Sequence, residues 1–184
     1  MPSFKPKDFG LGIIVGRFQI LHKGHAQVIE EGLRRCQEFA IFVGSAQEAG
    51  TSKNPFSYEE RKAFLNAAFP DAKVFPLNDI GVGNNCKWGE YVIKTVEDIY
   101  GKKPDVLFSG EESRRIAWLD PEFGVGAVFV PKEIDISSTQ MKQYLLEGNR
   151  AAWNDFSVPV LSPKFDEIRQ KIIETKDISN TQSI

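Results

Sequence analysis

The stretch LGIIVGRFQILHKGHAQVIEEGLRRC, from Leu11 to Cys36, decides the fold. Residues 11–15 are an apolar, β-branched run closed by Gly16, the pattern of a buried strand followed by a turn. From His25 the apolar positions Ala26, Ile29, Leu33 and Cys36 recur at helical spacing. A buried strand that turns at a glycine into an amphipathic helix is the opening of a βαβ unit.

Outward from this stretch the alternation continues. Residues 39–43 read as a second buried strand, closed by Gly44 and Ser45. Ser57 and Glu60 make a capping box that opens a helix through about Phe69. Residues 73–77 give a third, shorter strand, weakened by Pro76. The loop Gly81-Val-Gly-Asn-Asn85 precedes a helix from about Trp88 to Tyr100. Residues 106–108 form a fourth strand ending at Ser109-Gly110, and residues 127–130 a fifth. Ser137 and Gln140 make another capping box, and the helix they open stops at Gly148. Ser162-Pro163 starts a last amphipathic helix, with Phe165, Ile168 and Ile172 facing inward. The expected fold class is α/β, a Rossmann-like parallel sheet of about five strands with helices on both faces. The expected organisation is one domain over 11–176, with a loose lead-in at 1–10 and a frayed polar tail at 177–184.

Composition narrows the function classes. The 184 residues carry 23 Lys plus Arg against 25 Asp plus Glu, a net charge of −2. A nearly neutral chain gives no reason to expect nucleic acid or an anionic membrane as partner. There is no long apolar run, and the start MPSFKPKDFG is polar and broken by Pro and Gly, so a cytoplasmic protein is expected. Cys36 and Cys86 are too few for a disulfide framework or a cysteine-built zinc site.

In parallel α/β sheets ligands bind beyond the carboxyl ends of the strands, so the residues after each strand carry the chemistry. After the first strand comes GRFQILHKGH, Gly16 to His25, holding both histidines of the chain. His25 lies at a helix start, where free N–H groups and the dipole attract anions. Gly24 allows close approach of backbone to a ligand, and Arg17 adds a permanent, bidentate-capable cation. The His22–His25 spacing does not suit a helical metal pair, and no further His and no nearby Cys completes one, so no metal ligands are assigned. After the fifth strand comes DISSTQMK, Asp135 to Lys142. Ser137, Ser138 and Thr139 offer hydroxyls and N–H groups at a helix start, with Lys142 one turn on. Two helix N-termini with cations at strand ends suit a triphosphate.

These strings resemble the H-x-G-H nucleotidyltransferase superfamily, through GRFQ-x-x-H-x-G-H and ISST-x-M-K. Gly44-Ser-Ala-Gln-Glu48, Asn54-Pro-Phe56, Glu60-Arg61 and Asp79-Ile80 followed by Asn85 and Trp88 are similar to the archaeal-type nicotinamide mononucleotide adenylyltransferases. The resemblance spans about residues 11–158. It implies that His22 and His25 contact the ATP phosphates around the reacting phosphorus and that Arg17 holds the triphosphate. It places Ser137, Ser138, Thr139 and Lys142 on the β- and γ-phosphates, with Lys142 and Lys53 standing where relatives have arginine. Gly16, Phe18, Gln19 and Gly24 complete the ATP side. On the acceptor side, Trp88 stacks on the nicotinamide ring, with Asp79 and Asn85 nearby. Ile20 replaces a proline of the family pattern, and the loop between Asp79 and Trp88 is about two residues longer.

The expected reaction is transfer of AMP from ATP, with Mg2+, to nicotinamide mononucleotide, giving NAD+ and pyrophosphate. An acceptor phosphate monoester has a second pKa of about 6, so it attacks as a dianion without a general base. The catalytic set is His22, His25, Arg17 and Lys142, acting on charge and position alone. Alternatives left open are the same chemistry on nicotinate mononucleotide or phosphopantetheine, and a nucleotide-binding regulator without catalysis. A class I aminoacyl-tRNA synthetase fragment would share H-x-G-H, but this chain shows no basic patch and has ISSTQMK in place of a lysine-rich signature loop. The family resemblance also suggests a homo-oligomer.

Overall fold

Ile13 and Ile14 leave the first strand on opposite faces and are 0% and 6% exposed, so that strand is covered on both sides. The same holds for Ile41 and Phe42 in the second strand and for Leu107 and Phe108 in the fourth. The computed structural model describes residues 7–110 and 116–181. Its elements in order are β1 (Phe9–Gly16), α1 (Lys23–Arg35), β2 (Cys36–Val43), α2 (Tyr58–Ala68), β3 (Lys73–Pro76) and α3 (Cys86–Tyr100). Next come β4 (Val106–Ser109), β5 (Gly126–Phe129), α4 (Ser138–Glu147), α5 (Arg150–Phe156) and α6 (Phe165–Thr181). The strands form one parallel sheet in the order β3-β2-β1-β4-β5, the expected α/β fold. Helix α3 packs Val92 and Val96 against one face, with Leu11, Ile13 and Phe42. Residues of α1, α2, α4 and α6, such as Ile29, Leu65, Leu145 and Ile168, cover the other. No helix among the described residues is long and apolar enough to cross a membrane.

Several boundaries differ from expectation for local reasons. Cys36 does not continue α1: its backbone is extended (φ −108°, ψ 145°), and it begins β2 opposite Phe9. Phe9 and Gly10 belong to β1 rather than to the lead-in, of which residues 1–6 lie outside the described residues. Helix α6 extends through Thr181 because no Pro or Gly interrupts it; residues 182–184 are not among those described. The Ser57–Glu60 capping box is complete, with Glu60 N–H donating to Ser57 Oγ (3.3 Å) and Ser57 N–H donating to Glu60 Oε2 (2.8 Å). At Ser137 only the cap forms: Gln140 N–H reaches Ser137 Oγ (3.2 Å), and the Ser137 hydroxyl, not its N–H, donates to Gln140 Oε1 (2.8 Å). Helix α5, capped by Asn149, has no counterpart in the expected elements.

Candidate active site

β1, β2 and β4 all release their chains at the same edge of the sheet, and a cleft of about 900 Å³ opens there. Of the fifteen residues expected from sequence, fourteen line it: Gly16, Arg17, Phe18, Gln19, His22, Gly24, His25, Lys53, Asp79, Trp88, Ser137, Ser138, Thr139 and Lys142. Asn85 is the exception. Its carboxamide oxygen caps α3, accepting from the N–H of Lys87 (3.0 Å) and Trp88 (3.4 Å), and it lines a separate depression with Val82, Cys86 and Lys87. The neighbouring Asn84 lines the main cleft instead.

The histidine pair is built by α1 capping itself. His22 is the N-cap, and its Nδ1 accepts from the His25 N–H at 3.3 Å, which leaves the proton of a neutral ring on Nε2. The two imidazoles stack with centroids 3.8 Å apart, and Phe18 closes against His25 at 5.0 Å. At Gly24 a Cβ would stand 3.1 Å from the His22 ring and 3.2 Å from Ile136, closer than ordinary contact, so these neighbours would have to give way. The second helix start is tied to the first motif, since Ser138 Oγ donates to Ile20 O at 3.3 Å. The two N-termini therefore face one volume.

Burial, then Lys132, lowers the His22 pKa to about 4. His25 is held well below the ordinary range by burial, His22 and Lys132 in turn, and its Nδ1 is buried without a hydrogen-bond partner among the described residues. Both rings are neutral at pH 7, each able to donate one hydrogen bond to a phosphate oxygen. Because the folded value of His22 lies below the unfolded 6.5, the unfolded chain takes up the proton first. The associated stability is complete above pH 6.5 and is lost as pH falls toward 4. Melting temperature should drop across that window, and His22→Gln should flatten the drop; equal slopes in both proteins would remove His22 as its source.

Among the described residues four cations line the cleft: Arg17, Lys53, Lys142 and Lys132. Lys132 was missed from sequence, because it stands in an irregular segment with no pattern around it. Half-buried Lys142 donates to Ser52 O (3.0 Å) and Lys53 O (3.2 Å), and burial and Arg17 lower its pKa. Gln19 supports the wall: its carboxamide donates to Asn54 Oδ1 (3.1 Å) and Phe56 O (3.3 Å) and accepts from Phe56 N–H (3.0 Å). Phe18 (φ 48°) and Ser45 (φ 47°) are non-glycine residues in the left-handed region, each at a cost on the order of 1–3 kcal/mol. At the far end, Trp88 sits in the first turn of α3, 5.5 Å from Tyr91. The Gln47 carboxamide clamps the Asp79 backbone with two hydrogen bonds of 2.9 and 3.0 Å. Among the described residues no three His, Cys, Asp or Glu side chains are grouped as for a metal ion.

Comparison with known proteins places the chain in a family and a fold. The cytidylyltransferase-like family model matches residues 13–144. A nicotinamide-nucleotide adenylyltransferase of Thermococcus kodakarensis is 34% identical over 147 residues, 74% of this chain and 73% of that protein. A nicotinamide/nicotinic acid mononucleotide adenylyltransferase of Acinetobacter baylyi is 34% identical over 142 residues, covering 74% and 75%. The fold is shared with a bifunctional NMN adenylyltransferase/ADP ribose pyrophosphatase of Francisella tularensis, at a TM-score of 0.73, 20% identity and 95% coverage of this chain. The match spans 55% of that longer chain, which has also been solved in complex with AMP and a manganese ion. The chain belongs to the cytidylyltransferase-like family, among the nicotinamide-nucleotide adenylyltransferases.

Proposed function

We propose that the protein transfers AMP from ATP to nicotinamide mononucleotide, releasing pyrophosphate and forming NAD+ in the cytoplasm, with residues 11–176 as the transferring unit. The observation that carries this reading is the convergence of two helix N-termini, two neutral histidines and the cations on one cleft that ends at an aromatic ring. In this reading Arg17, Lys53, Lys142 and the α4 start at Ser137, Ser138 and Thr139 hold the β- and γ-phosphates. His22 and His25 donate to oxygens around the α-phosphorus. Gly16, Phe18, Gln19 and Gly24 shape that wall. Mg2+ enters with the nucleotide as MgATP, because ATP supplies the oxygen ligands that the ion prefers.

The acceptor phosphate, a dianion near neutral pH, attacks the α-phosphorus in line. The new P–O bond forms as the bond to the β-phosphate oxygen breaks, and pyrophosphate leaves with the electron pair. No proton must be removed from the nucleophile. The protein's part is placement and stabilisation of charge on the leaving group.

Trp88 and Asp79 define the acceptor end. A cationic nicotinamide ring stacked on Trp88 gains roughly 1–2 kcal/mol from cation–π attraction and dispersion, which a flexible aliphatic arm does not. Trp88→Ala should raise the KM for nicotinamide mononucleotide about tenfold and leave that for ATP nearly unchanged. Nicotinate mononucleotide should be the poorer ring substrate, because its carboxylate approaches Asp79. The test is a mass-spectrometric assay of the purified protein with MgATP and, in turn, nicotinamide mononucleotide, nicotinate mononucleotide and phosphopantetheine. Fastest formation of NAD+ is the expected result. Preference for phosphopantetheine would overturn the acceptor, and no product from any of the three would overturn catalysis.

A further inference from the structure

Arg61, on α2, is 0% exposed and lines no part of the cleft. Its guanidinium donates to three carbonyls at the ends of two strands: Nη1 to Arg17 O (2.8 Å) and Gly44 O (2.8 Å), and Nη2 to Ser45 O (3.0 Å). Nε donates to Ser57 O at 3.2 Å. All four acceptors are backbone carbonyls. Burial lowers its pKa, with Arg17 adding to the effect and Glu48 and Glu60 opposing it. A guanidinium nonetheless stays charged at any physiological pH.

A buried cation is costly unless each of its hydrogens is satisfied, and a planar fork matches three carbonyls converging from two turns as no ammonium can. The carbonyls it takes are those that define the strained turns. Ser45 O belongs to one left-handed residue, and Arg17 O belongs to the peptide that enters the other, Phe18. In a trans peptide the N–H points opposite to the C=O. With the carbonyls of Arg17 and Gly44 turned toward α2, the N–H groups of Phe18 and Ser45 point the other way, and both residues line the cleft. The two turns are also bonded directly, Gly44 N–H to Gly16 O at 2.8 Å.

We propose that Arg61 is a positioning residue for adenylyl transfer: from behind the cleft it locks the turns after β1 and β2, so that Arg17 and the N–H groups of Phe18 and Ser45 face the nucleotide phosphates. The inference rests on the adenylyl-transfer reading. It assigns Arg61 to the ATP side alone, because the acceptor end at Trp88 is carried by α3.

The test compares wild type, Arg61→Met and Arg61→Lys in steady-state kinetics, with calorimetric titration of ATP as a readout independent of turnover. Arg61→Met should lower kcat/KM for ATP by about 10²-fold, the scale of a misplacement near 1 Å, and weaken ATP binding. The KM for nicotinamide mononucleotide should stay within about twofold, and Arg61→Lys should recover part of the loss. Wild-type ATP parameters in a folded Arg61→Met would overturn the proposal. So would a smaller active fraction with every KM unchanged, which marks a purely structural role. If Arg61→Met does not fold, Arg61→Lys decides: a selective loss on ATP supports the proposal and unchanged constants overturn it. Failure of the wild type to make NAD+ would strike the adenylyl-transfer reading instead, and the calorimetric comparison would still judge Arg61.

Discussion

His25→Ala should reduce kcat by about 10²-fold or more while the protein stays folded, because one preorganised donor to developing charge is worth roughly 2.7–4 kcal/mol. The ring qualifies as such a donor on three counts. It sits in the first turn of α1, where the helix N-terminus already favours anions. It is fixed between His22 and Phe18, so little reorganisation accompanies reaction. Its Nδ1 is buried with no hydrogen-bond partner among the described residues, which leave that capacity of the ring unused. The stacking lost with the ring is a modest stability term, and the cap at His22 remains. Turnover and a thermal melt on the same preparation check the claim. Near-normal kcat in a folded variant would remove His25 from the chemistry.

Lys142→Ala should raise the KM for ATP by about 10- to 100-fold and lower kcat as well, since a charge-assisted hydrogen bond contributes about 1.5–3 kcal/mol. The ammonium donates to Ser52 O and Lys53 O, so Lys142 spans from α4 to the segment that carries Lys53. Removing it takes away one cation and also the tie to the Lys53 backbone. Lys142→Arg should retain most of the activity, because a guanidinium reaches the same phosphates with more donors. An unchanged ATP KM and kcat in Lys142→Ala would reduce the start of α4 to a capped helix.

The strands and the phosphate motifs were legible because they obey strong local rules. Apolar runs such as Phe39 to Val43 end at glycines, and the helix starts at His22 and Ser137 carry their own caps. What escaped depends on contacts distant in sequence. Arg61 belongs to a string that marks the family resemblance but carries no role in sequence, and only the fold shows Arg17, Gly44 and Ser45 converging on it. Lys132 has no pattern at all, and matters because its loop returns toward His22. Asn85 was misplaced because two adjacent asparagines look alike in sequence, while only one can cap α3. Cys36 fitted a helical period by chance, and pairing with Phe9 overrode it.

The cations of the cleft have a consequence for the leaving group of the proposed reaction. Arg17, Lys53, Lys132 and Lys142 line it, and Asp79, near the opposite end, is the one carboxylate among the described lining residues. In the proposed reaction the same cations would face pyrophosphate after transfer as they faced it within ATP. A product held there would be placed to attack the dinucleotide it was parted from. On the proposed reaction, NAD+ supplied with pyrophosphate should therefore yield ATP and nicotinamide mononucleotide from the same cleft.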